Sequence, residues 1–391
     1  MFAARGVVAL LLLSFNVVGM TEDHFTPLIA FAHDTQVFPG TDGRGHVVYE
    51  LIMTNANATP ATLQKVEVVS AAGPSRALVT FQGGDLLAHL HSPAHTPVAN
   101  PQIESNAGRV FLIDVALPTG AAVPERLMHR LTLLGGARPA AQPQQPVALE
   151  YLAAPLTLST KVPKIGPPLR GKDWVVLNGC CDPAGAHRGG GLTVNGDLYF
   201  AQRFAIDWMQ LDEAGRLVKG NPSDVHSWTS YDSDVLAVAD GRVVDTQQNL
   251  DDQVPGSLPD PKTITLANVD GNHIVLDLGN GVFAFYAHLR RDSVKVAPGE
   301  HVKRGQVLAK LGNTGNTSAP HLHFHLMDGP SVLGSSGIPY VIDEFQYAGE
   351  IPAAKFAAGG DSMEGSWNQG LLREPNVRRA QFPLALAIVD F

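Results

Sequence analysis

The chain has 391 residues, room for two domains of ordinary size. Its 28 basic residues against 37 acidic ones give a net charge of −9, and without basic runs that balance excludes a nucleic-acid binder. Two cysteines exclude a disulfide-built scaffold, while 39 glycines and 28 prolines suit a turn-rich β chain.

The first segment reads as a leader. Met1 to Arg5 carries one positive charge, and Gly6 to Gly19 is almost wholly apolar. Fourteen such residues are too few for a membrane-spanning helix, which needs about 20. A short basic start and a short apolar core are the pattern of a secretory signal peptide, here residues 1–20. No cysteine follows to carry a lipid. The mature protein is expected to be exported, periplasmic or extracellular, with no membrane span.

Residues 25–160 read as all-β. His46 to Thr54, Leu63 to Val69, Arg109 to Leu117, Leu131 to Leu134 and Val147 to Tyr151 are strand-length apolar or alternating runs. Clusters of Gly, Pro, Asn and Ser separate them, and such spacing suggests an immunoglobulin-like β-sandwich. His89-Leu90-His91, with His95 nearby, places two imidazoles on one strand face. Without a carboxylate at metal spacing they are read as loop or surface residues, and Ala140 to Pro146 as an inter-strand loop. The stretch Ser159 to Gly171, rich in proline and basic residues, is the expected boundary.

Beyond it, eight of the fifteen histidines fall between His187 and His325. Leu198 to Trp208 reads as a strand ending near Asp207. Asn272 to Leu278 and Val282 to Leu289 form a hairpin around Gly279-Asn280-Gly281, with His288 near its end. In His321 to Leu326 a strand period of two puts His321, His323 and His325 on one face and Leu322, Phe324 and Leu326 on the other. Burying three unpaired imidazoles would be costly, so that face lines water or a metal.

Taken together, Val235 to Val243, Tyr286-Ala287-His288-Leu289, Gly305-Gln306-Val307, Gly312 to Asn316 and Pro320 to Phe324 resemble the M23 family of zinc metallopeptidases, of LytM or lysostaphin type. The resemblance covers about residues 180–330, and its motifs stand in the family's order. It implies an antiparallel β metallopeptidase domain at residues 172–333, following the sandwich, with a C-terminal extension at 334–391. It also implies one Zn²⁺ held by a His, by Asp207 and by His323, and a catalytic pair, His288 and His321. The implied substrate is a peptide, often in cell-wall peptidoglycan.

One position departs from the family. Its first ligand stands four residues before the Asp, where this chain has Arg203, and a guanidinium that stays protonated cannot ligate. The nearest upstream histidine is His187. Between the two lie Gly189-Gly190-Gly191 and Asn195-Gly196, the latter a strong two-residue hairpin signal, so an inserted hairpin is expected to fold His187 back to the metal. His226 is the substitute candidate.

Zn²⁺ takes imidazole nitrogen and carboxylate oxygen, and a catalytic site keeps three protein ligands and an open position. His321 is assigned general-base work and His288 stabilisation of the oxyanion or proton donation, roles that are exchangeable. No H-E-x-x-H occurs, which excludes the helix-borne zinc scheme. The alternatives are a metal-free, inactive LytM-like binding or regulatory module, and a non-haem iron oxygenase built on two His and one carboxylate. The extra pair His288 and His321 argues against the oxygenase. Cys180-Cys181 are adjacent, leaving a vicinal disulfide or two free thiols.

Overall fold

The computed structural model describes residues 25–94, 96–136, 146–359 and 363–391. The leader, His95 and most of the Ala140–Pro146 loop lie outside these residues. Among the described residues no helix is long and apolar enough to cross a membrane.

Alternating and β-branched runs become strands in chain order. They are β1 (Leu28–Phe31), β2 (Thr35–Pro39), β3 (Gly45–Asn55), β4 (Ala61–Ser70) and β5 (Gly73–Gln82). A short helix α1 (Gly83–His89) follows, then β6 (Leu90–His91), β7 (Gln102–Ile103), β8 (Gly108–Leu117), β9 (Arg126–Gly135) and β10 (Val147–Ser159). Their main path runs β5-β4-β9-β10-β2-β3-β8-β6. A short parallel pairing, Leu158 beside Thr35, links its two antiparallel halves. Tyr49 and Leu51 of β3 share one core with Val66 of β4, Ile113 of β8 and Leu131 of β9, so the halves close over a common interior.

The histidine-leucine-histidine stretch of this half differs from its expected place. His89 ends α1 and its Nδ1 lies 2.5 Å from the Leu112 carbonyl, while His91 is buried with Nε2 3.2 Å from the Ala88 carbonyl. A helix turn breaks the strand alternation, so the two rings make separate backbone contacts instead of facing solvent.

The second half adds β11 (Lys164–Ile165), β12 (Trp174–Leu177), the hairpin β13 (Gly191–Val194) and β14 (Asp197–Phe200), and β15 (Ile206–Gln210). Next come β16 (Asp234–Leu236), β17 (Gly241–Gln247), β18 (Asn272–Asp277), β19 (Phe283–Leu289), β20 (His301–Val302), β21 (Val307–Lys310) and β22 (Leu322–Met327). The tail contributes β23 (Gly337–Ile338), β24 (Val341–Glu350), α2 (Ala353–Gly359), β25 (Leu371–Gln381) and β26 (Ala387–Asp390).

Ten of these strands follow the path β11-β24-β26-β12-β15-β22-β19-β18-β17-β20. Central β22 is antiparallel to β15 and β19. Its odd face carries histidines, whereas Leu322, Phe324 and Leu326 enter the core. The apolar C-terminal run becomes β26, which pairs with β12 and β24 and returns the tail to the same sheet.

The two halves share packing. In β3 the odd residues Val47, Tyr49 and Leu51 enter the first core, while Val48 joins the second core with Phe38. Glu50 is buried on the same side as Val48, only 5% exposed. Phe38 meets Phe204 and Phe382 at ring-centroid distances of 5.4 and 5.2 Å.

Candidate metal centre and histidine pair

Strand register builds the site. Asp207 on β15 pairs directly with His323 on β22, which pairs in turn with Ala287 on β19. Residues opposite each other across a ladder project to the same face, so Asp207 and His323 meet: Nδ1 of His323 lies 2.9 Å from Asp207 Oδ1.

His288 follows Ala287 and would point to the other face in a regular strand. Its φ of 60° is left-handed, uncommon for a residue with a Cβ, and turns the chain as the ladder ends. The imidazole thereby reaches the same cleft, with ring centroids 4.7 Å from His321 and 5.8 Å from His323.

His187 arrives from outside the sheet. Asn195 and Gly196 both have positive φ, 52° and 95°, as a two-residue hairpin turn of the primed type requires. The hairpin β13–β14 doubles the chain back, and His187 Nε2 comes within 3.4 Å of Asp207 Oδ2. One nitrogen each from His187 and His323 and one Asp207 oxygen lie within 4.8 Å of one another; a second such group is His288, His321 and His323. His226 is exposed on a short 3-10 turn against Tyr231 and joins neither group.

Backbone carbonyls orient the rings. Nδ1–H of His187 donates to Ala205 O at 3.2 Å, that of His288 to Thr314 O at 2.7 Å, and that of His321 to Ala319 O at 2.8 Å. Each contact leaves Nε2 as the nitrogen presented to the cleft. His323 is turned the other way, with Nδ1 on Asp207 and Nε2 3.0 Å from Nδ1 of His325. His325 is 1% exposed, and its Nε2 has no hydrogen-bond partner among the described residues. Asn178 Nδ2 donates to Asp207 Oδ2 at 2.7 Å and restrains the carboxylate.

The electrostatics follow from crowding. Burial pushes the Asp207 carboxyl up, but the imidazoles of His187, His321 and His323 outweigh it and hold the group well below its usual range. Burial lowers His323 to about 4, and burial with its histidine neighbours pushes His288 well below the ordinary imidazole value. Burial also opposes protonation of His321, yet Asp207 beside it raises that ring overall.

This donor set fits a zinc ion by its chemistry: two imidazoles and one carboxylate, converging, with each imidazole's far nitrogen already bonded. The rings of His288 and His321 stand next to it. A cavity of about 400 Å³ opens on all five residues. A more apolar cavity of about 560 Å³ adjoins it, sharing Gln202, Val269, Asp270 and Asn316 and lined by Leu192, Leu266 and His325. Burial holds the Asp270 carboxyl up at about 6.

Among the other histidines, His273 is partly buried with Nδ1 3.0 Å from Gly271 O, and His301 is exposed. Cys180 and Cys181 are bonded to each other. Sequence reasoning missed Asn178, which carries no local signal, and the partners of Arg203. That arginine donates to Glu50 of β3 and, at 2.9 Å, to Gly337 O.

Comparison with known proteins adds an independent finding. Residues 225–333 match the sequence profile of peptidase family M23. That span contains His288, His321 and His323 but neither His187 nor Asp207. Over 58 residues the chain is 47% identical to lysostaphin of Staphylococcus simulans, 15% of this chain and 11% of that protein. Over 57 residues it is 42% identical to the peptidoglycan DD-endopeptidase ShyA of Vibrio cholerae, 15% of this chain and 13% of that one. The chain thus spans about an eighth of the length of these curated relatives. The solved catalytic domain of Staphylococcus simulans lysostaphin aligns over 37% of this chain and 80% of its own, at 23% identity and a TM-score of 0.22.

Proposed function

From the premise that residues 225–333 belong to peptidase family M23, we propose that the protein is an exported zinc metalloendopeptidase acting on peptide bonds of peptidoglycan or related peptides. The observation that supports it best is the convergence of His187, Asp207 and His323 beside His288 and His321, each ring's tautomer set by a contact of its own. The organisation that goes with this reading is a cleaved leader at 1–20, a β-sandwich at 25–160, the metallopeptidase domain at 172–333 and an extension at 334–391.

His187, Asp207 and His323 would hold the ion. A zinc ion held there would supply Lewis acidity, polarising a peptide carbonyl and making water a better nucleophile near neutral pH. The protein's own residues do the rest. Asn178 and the Ala205 carbonyl keep Asp207 and His187 pointing inward. His321 presents Nε2 3.3 Å from Asp207 Oδ1, where it can take the proton of an attacking water. His288 presents a bare Nε2 to the same cavity, where, once it has taken up a proton, it would stabilise charge developing on the carbonyl oxygen. By geometry the two roles are exchangeable, because both rings bond through Nδ1 and present Nε2 to the cavity.

The test is hydrolysis of purified peptidoglycan and its peptides by the full chain. Chelation should abolish it and added Zn²⁺ restore it. His321→Ala and His288→Ala should each lower kcat by about 10²–10⁴-fold. Hydrolysis that survives chelation, or a zinc-loaded protein that cuts no peptide, would overturn the reading.

A further inference from the structure

The loop that carries His187 has no regular structure, running from Asp182 to Gly190 between β12 and β13. A metal ligand needs its donor atom held to a fraction of an ångström, which loops do poorly without support. Within the loop, the Gly185 and Arg188 amides bond only to Asp182 and Gly185 carbonyls. The outward anchors are therefore side chains: His187 itself on Ala205, and Arg188 next to it.

Arg188 does not turn toward the metallopeptidase sheet. Its side chain is 3% exposed, and its guanidinium lies against the first half of the molecule. Nη1 donates to Oε1 of Glu50; Nη2 donates to the carbonyls of Tyr49 at 2.8 Å and Ile113 at 3.2 Å. The other carboxylate oxygen of Glu50 accepts from Arg203 Nη1 at 2.5 Å. One buried carboxylate thus takes a guanidinium on each oxygen. The two arginines bracket the hairpin β13–β14 at its base: Arg188 follows His187, and Arg203 precedes Asp207 by four residues. Arg203 occupies the place of the family's first ligand, so the residue that displaced that ligand belongs to the clamp on its replacement.

We propose that Glu50 is a positioning residue for the metal centre: through Arg188 and Arg203 it fixes the base of the inserted hairpin and aims His187 at Asp207. The metal site is then complete only when the first half of the chain is docked on the second. The proposal rests on the metal-centre reading above. It differs from a merely structural ion pair in predicting an effect on metal binding that other interface contacts do not share.

The experiment measures Zn²⁺ affinity of the full chain by competition with a chromophoric chelator, the Co²⁺ absorption spectrum, and Tm. Glu50→Gln should weaken Zn²⁺ binding by about 10–100-fold and shift the Co²⁺ bands, as loss of a partner behind a ligand does. Because two unpaired guanidiniums destabilise the fold of that variant, Arg188→Lys is the second probe. It keeps the charge on Glu50 but loses the fork to Tyr49 and Ile113, and should weaken Zn²⁺ on the order of tenfold. Phe382→Leu trims the same interface at Phe38 and should lower Tm with Zn²⁺ affinity unchanged. Equal Zn²⁺ affinity in parent, Glu50→Gln and Arg188→Lys, with His187→Ala weakened, would overturn the proposal alone. So would an equal loss in Phe382→Leu. A parent that binds no Zn²⁺, or a His187→Ala that binds as well as the parent, would overturn the metal-centre reading and the proposal with it.

Discussion

His129 shows how a single buried ring sets a pH dependence. It sits at 0% exposure in the first core; its Nδ1–H donates to Ala154 O at 3.0 Å and its Nε2 accepts from the Tyr49 hydroxyl at 2.8 Å. Both nitrogens are thus satisfied in the neutral form, and burial lowers the ring to about 4. An unfolded histidine titrates near 6.5. The unfolded chain therefore binds the extra proton between those values, and the stabilising contribution is complete above about pH 6.5 and lost as pH falls toward 4. The difference amounts to about 3 kcal/mol. Urea unfolding of parent and His129→Gln at pH 7 and pH 4.5 should show a smaller pH difference in the variant. A variant with the parent's pH slope would contradict the assignment. The same residue scale decides the candidate metal centre, where carbonyls of Ala205, Thr314 and Ala319 choose which nitrogen His187, His288 and His321 present.

At the scale of elements, the hairpin β13–β14 is the device that carries His187 to the sheet. Its turn needs left-handed backbone at both Asn195 and Gly196. Nothing lies within 4 Å of a Cβ placed on Gly196, so a larger residue meets no clash there, only backbone strain. Gly196→Val should therefore cost about 1–2 kcal/mol in urea unfolding, and Asn195→Gly should be nearly neutral. A neutral Gly196→Val would mean that the turn relaxes. This element was legible in sequence because Asn-Gly encodes its own geometry. So was the two-faced strand β22, whose alternation of His with Leu and Phe needs no partner to be seen. The place of His288 was not legible to the same degree. Its φ of 60° breaks the strand parity at the point where β19 leaves the ladder, and nothing local in Tyr-Ala-His-Leu announces that.

For the whole molecule, the decisive feature is that β3 is buried on both faces. Its odd residues fill one core, and on the other face Val48 joins Phe38 of β2 in the second core with Phe204, Phe324 and Tyr340. Two units that share a core and a buried carboxylate with two guanidiniums lose much on separation. Calorimetry of the full chain should give a single cooperative transition, with calorimetric and van't Hoff enthalpies equal. Two resolved transitions would contradict this coupling. The tail strengthens the same joint: the Phe382 amide donates to Pro39 O at 2.8 Å, and the Thr41 amide donates back to Phe382 O at 3.1 Å.

By itself the sequence determined the all-β class, the histidine face of β22, the hairpin before Asp207 and the resemblance to family M23. Each rests on periods of two, turn residues or motif spacing, which are local and survive without a partner. Only the tertiary structure decided that Arg188 and Arg203 converge on Glu50, that Asn178 orients Asp207, and that the tail strand β26 inserts between β24 and β12. These contacts join residues far apart in the chain, and their energy exists only once burial has removed water from the charges. Besides Arg203 in the ligand slot, a lone glutamate in the apolar run His46 to Thr54 was a trace of them in sequence: a charge placed where only a paired charge can stay.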